Sequence, residues 1–364
     1  MLIDDVSAVT PSDFGLEMAE YFYCPPLNNN IGRGALAASI LNHHSTHLQQ
    51  SGTALLPSWM EEQPITYRSY DQALALILFS MEFRRTGNDA YANAATLLAD
   101  HLLALPRSTS GAWYDAYDNS LEPVDASSQS PQSVGWMNIA FHQYIASILP
   151  TEVMAYKEAV KQGAEFLQLK QASFSINNPE LNGLVSVESA ANISAYFGFV
   201  AASRQHPQET YNYNASEVSD LLLEHMWNEQ EGRITTGIQD AQISAPGGWG
   251  TQLLRHLGER EKALKNNTFG AKMMSVATWD DQHEGIASSG PWQPSWEQTG
   301  MYAAAGGPNL EIYLTSALSL SSGTLLPAHS NLLENGTSDQ NTWHGIAPTA
   351  WVYFGLSGGF LDKM

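Results

Sequence analysis

The chain has 364 residues and a mass of 39.8 kDa, enough for a large core and more than the commonest single domain. Apolar residues make up 43% of it and charged residues only 15%, which excludes a disordered chain. A net charge of −21 repels polyanions, so neither nucleic acid nor an anionic membrane surface is an expected partner.

Alternating strand patterns are scarce. Helical periodicity predicts twelve segments: 33–49, 70–85, 89–105, 133–148, 151–169, 190–204, 214–227, 247–257, 259–274, 295–305, 309–319 and 346–356. The connections alternate in length. Those at 86–88, 149–150, 258 and 306–308 are short, and 205–213 is intermediate. Those at 106–132, 170–189, 228–246, 275–294 and 320–345 are long. Short connections join antiparallel neighbours, so the long loops gather at one end of an up-and-down array. Helices that follow long loops open near Tyr70, Ser133, Ala190, Gly247, Ser295 and Gly345, then run through small residues, as at 301–305 and 347–350. Other segments are amphipathic. Lys157, Glu158, Lys161 and Glu165, for example, mark one solvated face. Two alternating classes of helix predict an all-α fold, an (α/α)6 toroid of twelve helices with its long loops at one end. Residues 33–364 form the single toroid domain and 1–32 an N-terminal extension packed on it.

Several chemistries are absent from the sequence. Cys24 is the single cysteine, so neither an internal disulfide nor a multi-cysteine zinc site is available. His43 and His47 share a helical face, but no carboxylate motif accompanies them, and a packing role is expected rather than a metal site. Gly247-Gly248-Trp249-Gly250 lacks the strand and the lysine of a phosphate loop. Asp280-Asp281 reads as a solvated acidic turn. No metal and no cofactor are expected. No apolar run reaches the ~18 residues of a membrane span. Residues 1–5 lack the basic-then-apolar pattern of a signal peptide, which leaves location open, and the oligomeric state is equally open.

Several stretches resemble the six-hairpin glycosidase-like toroids of bacteria. They are the 66–75 stretch around Tyr67, Tyr70 and Asp71, and Gly111-Ala112-Trp113-Tyr114-Asp115-Ala116-Tyr117 followed by Ser133-Val134-Gly135-Trp136. Later come Pro291-Trp292, Ser295-Trp296-Glu297-Gln298-Thr299, and the closing stretch from Gly345 to Phe354. The similarity spans roughly residues 60–356. It implies the toroid and, more loosely, a carbohydrate-active protein, since that superfamily includes inverting glycoside hydrolases, polysaccharide lyases and sugar epimerases. Many relatives place an acidic residue and a histidine before the asparagine that opens the sixth helix, and an aspartate two residues after it. Here Ala190 and Ala191 precede Asn192, and Ser194 follows, so no catalytic role carries over from that helix.

Glycosidic hydrolysis needs a protonated carboxyl and an ionised one across a cleft, with flat apolar faces for the sugar rings. Among the acids of the long-loop end, Glu297 and Asp71 stand out because each sits in the first turn of a predicted inner helix. The helix dipole there favours the charged form, whereas burial opposes it. Asp240 and Glu188 are further candidates. An inverting pair would stand about 6.5–9.5 Å apart. Tryptophans concentrate at the same end. Tyr70, Trp113, Tyr114, Trp136, Trp249, Trp292 and Trp296 are the expected substrate-binding residues. The expected substrate is a carbohydrate or another small molecule, and the expected activity is that of an inverting glycoside hydrolase. Two alternatives stay open. One is a lyase or cyclase acting on a non-sugar substrate through the aromatic pocket; the other is a non-catalytic glycan-binding toroid.

Overall fold

A computed structural model describes residues 30–238, 247–273, 276–279, 283–286, 295–306, 317–318, 324–327 and 343–364. Six helices form the inner ring. They are α2 (Ser69–Thr86), α4 (Pro131–Ile148), α6 (Ser189–Gln205), α8 (Gly247–His256), α10 (Trp296–Ala304) and α11 (Ile346–Leu356). Each packs against the next, and α11 returns to α2, so the ring closes. Around it lie α1 (Asn30–Ser51), α3 (Asp89–Ala104), α5 (Val153–Asn177), α7 (Tyr211–Met226) and α9 (Arg260–Met273). The predicted helix 309–319 lies outside the described residues except at 317–318, which are helical. The predicted extension 1–32 lies outside them up to residue 29. Among the described residues every sheet has two strands, and no helix is long and apolar enough to cross a membrane.

The two rings differ because their surroundings differ. Every residue of α11 is buried, as is the run Ala73 to Ser80 of α2, and both stretches are accordingly apolar on nearly every side. In α3 only Tyr91, Ala94, Ala95, Leu98, Ala99 and Leu102 are buried, one stripe at helical spacing. The small residues of the inner ring are needed for contact. A Cβ on Gly135 of α4 would lie 2.3 Å from the Ser194 carbonyl oxygen of α6. A Cβ on Gly300 of α10 would lie 2.2 Å from the Trp351 carbonyl carbon of α11. Larger side chains would hold these helices apart.

Helix α5 runs to Asn177, past the predicted end at 169. Its extra turns are held because Gln171 is buried and its amide reaches the Gly183 carbonyl of the returning loop. Short ladders brace the long loops, one between two loops and three each within a single loop. β1 (Tyr67–Arg68) pairs with β2 (Ala116–Tyr117), and β7 (Leu326–Pro327) pairs with β8 (His344–Gly345). β3 (Trp227–Asn228) pairs with β4 (Arg233–Ile234), and β5 (Val276–Trp279) with β6 (His283–Ile286). Asp115 staples its loop by accepting from the Ser128 and Ser130 hydroxyls and the Ser130 amide. Burial pushes its carboxyl up, but those bonds and one from Ser133 outweigh it and leave the group below its ordinary value.

Candidate active site

The axis of the ring is filled with aromatic side chains. Tyr70 (α2), Trp136 (α4), Trp249 (α8) and Trp351 (α11) converge there from four inner helices. Trp136 lies 5.6 Å from Tyr70, 5.2 Å from Trp249 and 5.6 Å from Trp351, ring centre to ring centre. From the opposite end Phe360 closes the stack, 4.8 Å from Phe354 and 6.3 Å from Trp136. These spacings and tilts are those of favourable edge-to-face contacts. The cluster is therefore a packed floor rather than an open channel.

Glu297 sits above this floor. Ser295, not Glu297, caps α10: its hydroxyl oxygen accepts from the Gln298 amide at 3.3 Å. The Glu297 carboxyl is thus free of capping duty. Its Oε1 accepts from the Tyr70 hydroxyl at 3.0 Å, and the Tyr70 oxygen accepts from Trp351 Nε1 at 2.7 Å. Solvent touches part of Glu297 and Tyr70, yet protein crowds both closely enough that burial dominates their titration. Both groups are thus largely enclosed by protein, with a small part left open to solvent. Burial and the nearby Asp71 charge push the Glu297 carboxyl up to about 7, and the Tyr70 bond works against them.

Asp71 is one residue along α2 from Tyr70 and is 4% exposed. Burial lifts its carboxyl to about 6, opposed by bonds from the Ser58 hydroxyl and the Ala347 backbone amide and by the Arg68 charge. Arg68 is itself occupied. Its guanidinium grips Glu62 with two bonds, of 3.0 and 2.6 Å, so the cation near Asp71 is already paired. Two carboxyls from two inner helices therefore share one environment, and both titrate near neutrality.

The other expected site residues are placed as follows. Trp136 and Trp249 belong to the floor, 1% and 6% exposed, and Trp296, the first residue of α10, is fully buried. The indole nitrogens of all three have no hydrogen-bond partner among the described residues. Trp113 is remote from the axis. It stacks on Phe141 at 5.4 Å, lies under the Arg107 guanidinium and donates to the Leu102 carbonyl. With no exposed surface, it serves the packing of α3 on α4. Tyr114 is half-buried against Tyr117 in the neighbouring loop. Glu188 is exposed at the start of α6, where its backbone bridges Gly237. Asn192 turns the loop before it into α6: it accepts from the Val185 amide and donates to the Ser186 and Glu188 carbonyls. Asp240, Trp292 and the Asp280-Asp281 pair lie outside the described residues. Among the described residues no group of three potential ligands could hold a metal ion. His47 is spent on a bond with the Tyr67 hydroxyl at 2.9 Å.

Sequence reasoning overlooked Trp351, Ser58 and Phe360. Only Trp351 carries a signal. A closed ring puts its last inner helix beside its first, so an aromatic in the second turn of α11 faces α2.

No family model and no curated protein sequence matches the chain. Solved structures do match. The cellobiose 2-epimerase of Bacillus thermoamylovorans B4167 aligns with a TM-score of 0.69 at 12% identity, over 92% of this chain and 99% of that one. A D-mannose isomerase aligns at 0.65 and 11% identity, over 93% and 99%. The GH76 α-mannanase of Bacteroides thetaiotaomicron aligns at 0.55 and 10% identity, over 90% and 95%. At such identities the likeness is one of fold, and with the closed inner ring it makes the chain an (α/α)6 toroid.

Proposed function

We propose that the protein is a carbohydrate-active enzyme in which Glu297 delivers the proton and Asp71 is its carboxylate partner. The observation that carries this reading is the pair itself: two carboxyls from α2 and α10, the inner helices on either side of α11, both raised toward neutrality beside an aromatic cluster. Divergent or raised carboxyl titrations in a recess mark acid–base sites. The sugar-processing enzymes that share the fold support the substrate class. Neutralisation of Arg68 by Glu62 favours an uncharged glycan over an acidic one.

Hydrolysis with inversion is the preferred reaction. Glu297 protonates the leaving glycosidic oxygen, water adds to the anomeric carbon, and the second carboxylate accepts the proton of that water. Epimerisation or isomerisation is the second reading, favoured by two of the structural neighbours, and it would use the same pair to move a carbon-bound proton. A panel of neutral oligosaccharides incubated in D2O separates them. New reducing ends mark hydrolysis, whereas deuterium at a sugar carbon without bond cleavage marks epimerisation or isomerisation. Glucan or mannan binding with neither outcome would refute an enzyme and leave a glycan-binding toroid.

A further inference from the structure

We infer that Tyr70 is a positioning residue that, backed by Trp351, grips Glu297 by Oε1 and leaves the acidic proton on Oε2. The inference deepens the proposed function and rests on Glu297 being the proton donor. Its ground is the polarity of a hydrogen-bond chain. An indole N–H can only donate. Trp351 Nε1 therefore fills a lone pair of the Tyr70 oxygen at 2.7 Å, and the phenolic proton must go elsewhere. The acceptor within reach among the described residues is Glu297 Oε1 at 3.0 Å. Whenever the carboxyl carries a proton, the oxygen that accepts this bond is its carbonyl oxygen, so the proton sits on Oε2. The three members come from α2, α10 and α11, and the crossing of Gly300 against Trp351 fixes α10 on α11. The Tyr70 ring is held in turn by Trp136 and Trp249. Among the described residues, the charged groups that face Glu297 are Asp71 from α2 and, beyond it, the Arg68–Glu62 pair. The rings supplied by α4 and α8 are neutral. The Tyr70 hydroxyl is thus used on the enzyme itself and not on a ligand.

Tyr70→Phe tests this because it keeps the ring and removes only the hydroxyl. Carboxyl titration is followed by infrared spectroscopy on protein labelled with 13C-glutamate, with Glu297→Gln assigning the band. Loss of the donor should move the Glu297 titration up by about one pH unit. Trp351→Phe should move it in the same direction by less. The double variant should shift no further than Tyr70→Phe alone, since the indole then has no hydroxyl to polarise. Turnover should fall roughly tenfold in Tyr70→Phe with KM unchanged. An unmoved band in folded Tyr70→Phe overturns the inference, as does additivity in the double variant. A moved band with undiminished turnover upholds the grip on Glu297 and refutes the proposed proton donor instead. Should Trp351→Phe fail to fold, the Tyr70→Phe band decides alone.

Discussion

Glu297→Gln should stabilise the protein above neutral pH while abolishing its chemistry. The substitution removes a charge but keeps an oxygen to accept from Tyr70. In the folded chain, burial and Asp71 raise the carboxyl from 4.5 to about 7. A carboxyl raised on folding holds its proton more tightly in the folded than in the unfolded chain. Its contribution is complete below the unfolded value and erodes as pH climbs from 4.5 to about 7. That rise of about 2.5 pH units, at ~1.4 kcal/mol each, sets a ceiling near ~3 kcal/mol. Partial contact with solvent and sharing of the proton with Asp71 bring the expected gain to about 1–2 kcal/mol. For a chain of this length that is roughly 1–3 °C in Tm. Melting curves of parent and variant at pH 4 and pH 8 provide the assay. The two should coincide at pH 4, and the variant should melt higher at pH 8. Turnover at the optimum should drop roughly 10²–10⁴-fold, the usual contribution of a positioned acid. A variant that melts lower at pH 8 would mean the carboxylate stabilises the fold, and the reading of Glu297 as a strained acid would be abandoned.

The activity itself should follow a narrow bell of pH, with macroscopic limbs near the pair's values of about 6 and about 7, and a broad plateau to pH 9 would exclude the pair. Asp71→Asn removes the charge that faces Glu297, so the alkaline limb should move down by about one pH unit; an upward move contradicts the coupling. Gly135→Ala drives a methyl into the Ser194 carbonyl and should cost about 3 kcal/mol in denaturant unfolding, with an unchanged midpoint arguing against the tight α4–α6 crossing. Trp113→Ala should cost about 3–5 kcal/mol in the same assay without altering glycan affinity, and weakened affinity would return Trp113 to the site.

Architecture was legible because it is written in local features. Loop lengths that alternate at 86–88 and 106–132 sort the helices into two classes, and inner helices betray themselves by small residues where backbones must touch, as at Gly135 and Gly300. The end of α5 was not legible, since its last turns depend on what Gln171 meets in a loop that returns from elsewhere. Tryptophan position was a weaker guide than helix position. Trp113 and Trp136 both sit at the long-loop end, yet one packs an outer helix and the other the axis. The face of the helix on which an indole emerges depends on neighbours that sequence spacing does not name.

The candidate site was half legible for a related reason. Glu297 and Asp71 could be singled out because a carboxyl in the first turn of an inner helix feels the dipole and the burial together. What joins them could not be read so directly. Tyr70 lies 227 residues from Glu297 and 281 from Trp351, and only closure of the ring brings the three together. Closure also explains why the acid is held so firmly. A group that hangs from one helix can relax away from an unfavourable charge. Glu297 is gripped from α2 while α11 backs that grip, and Asp71 is tethered to the start of α11 through the Ala347 amide. Each carboxyl is therefore bonded to a group carried by a different inner helix. The seam that completes the toroid is thus also what keeps two carboxyls at close quarters, and protonation of one is the cheapest relief the fold allows.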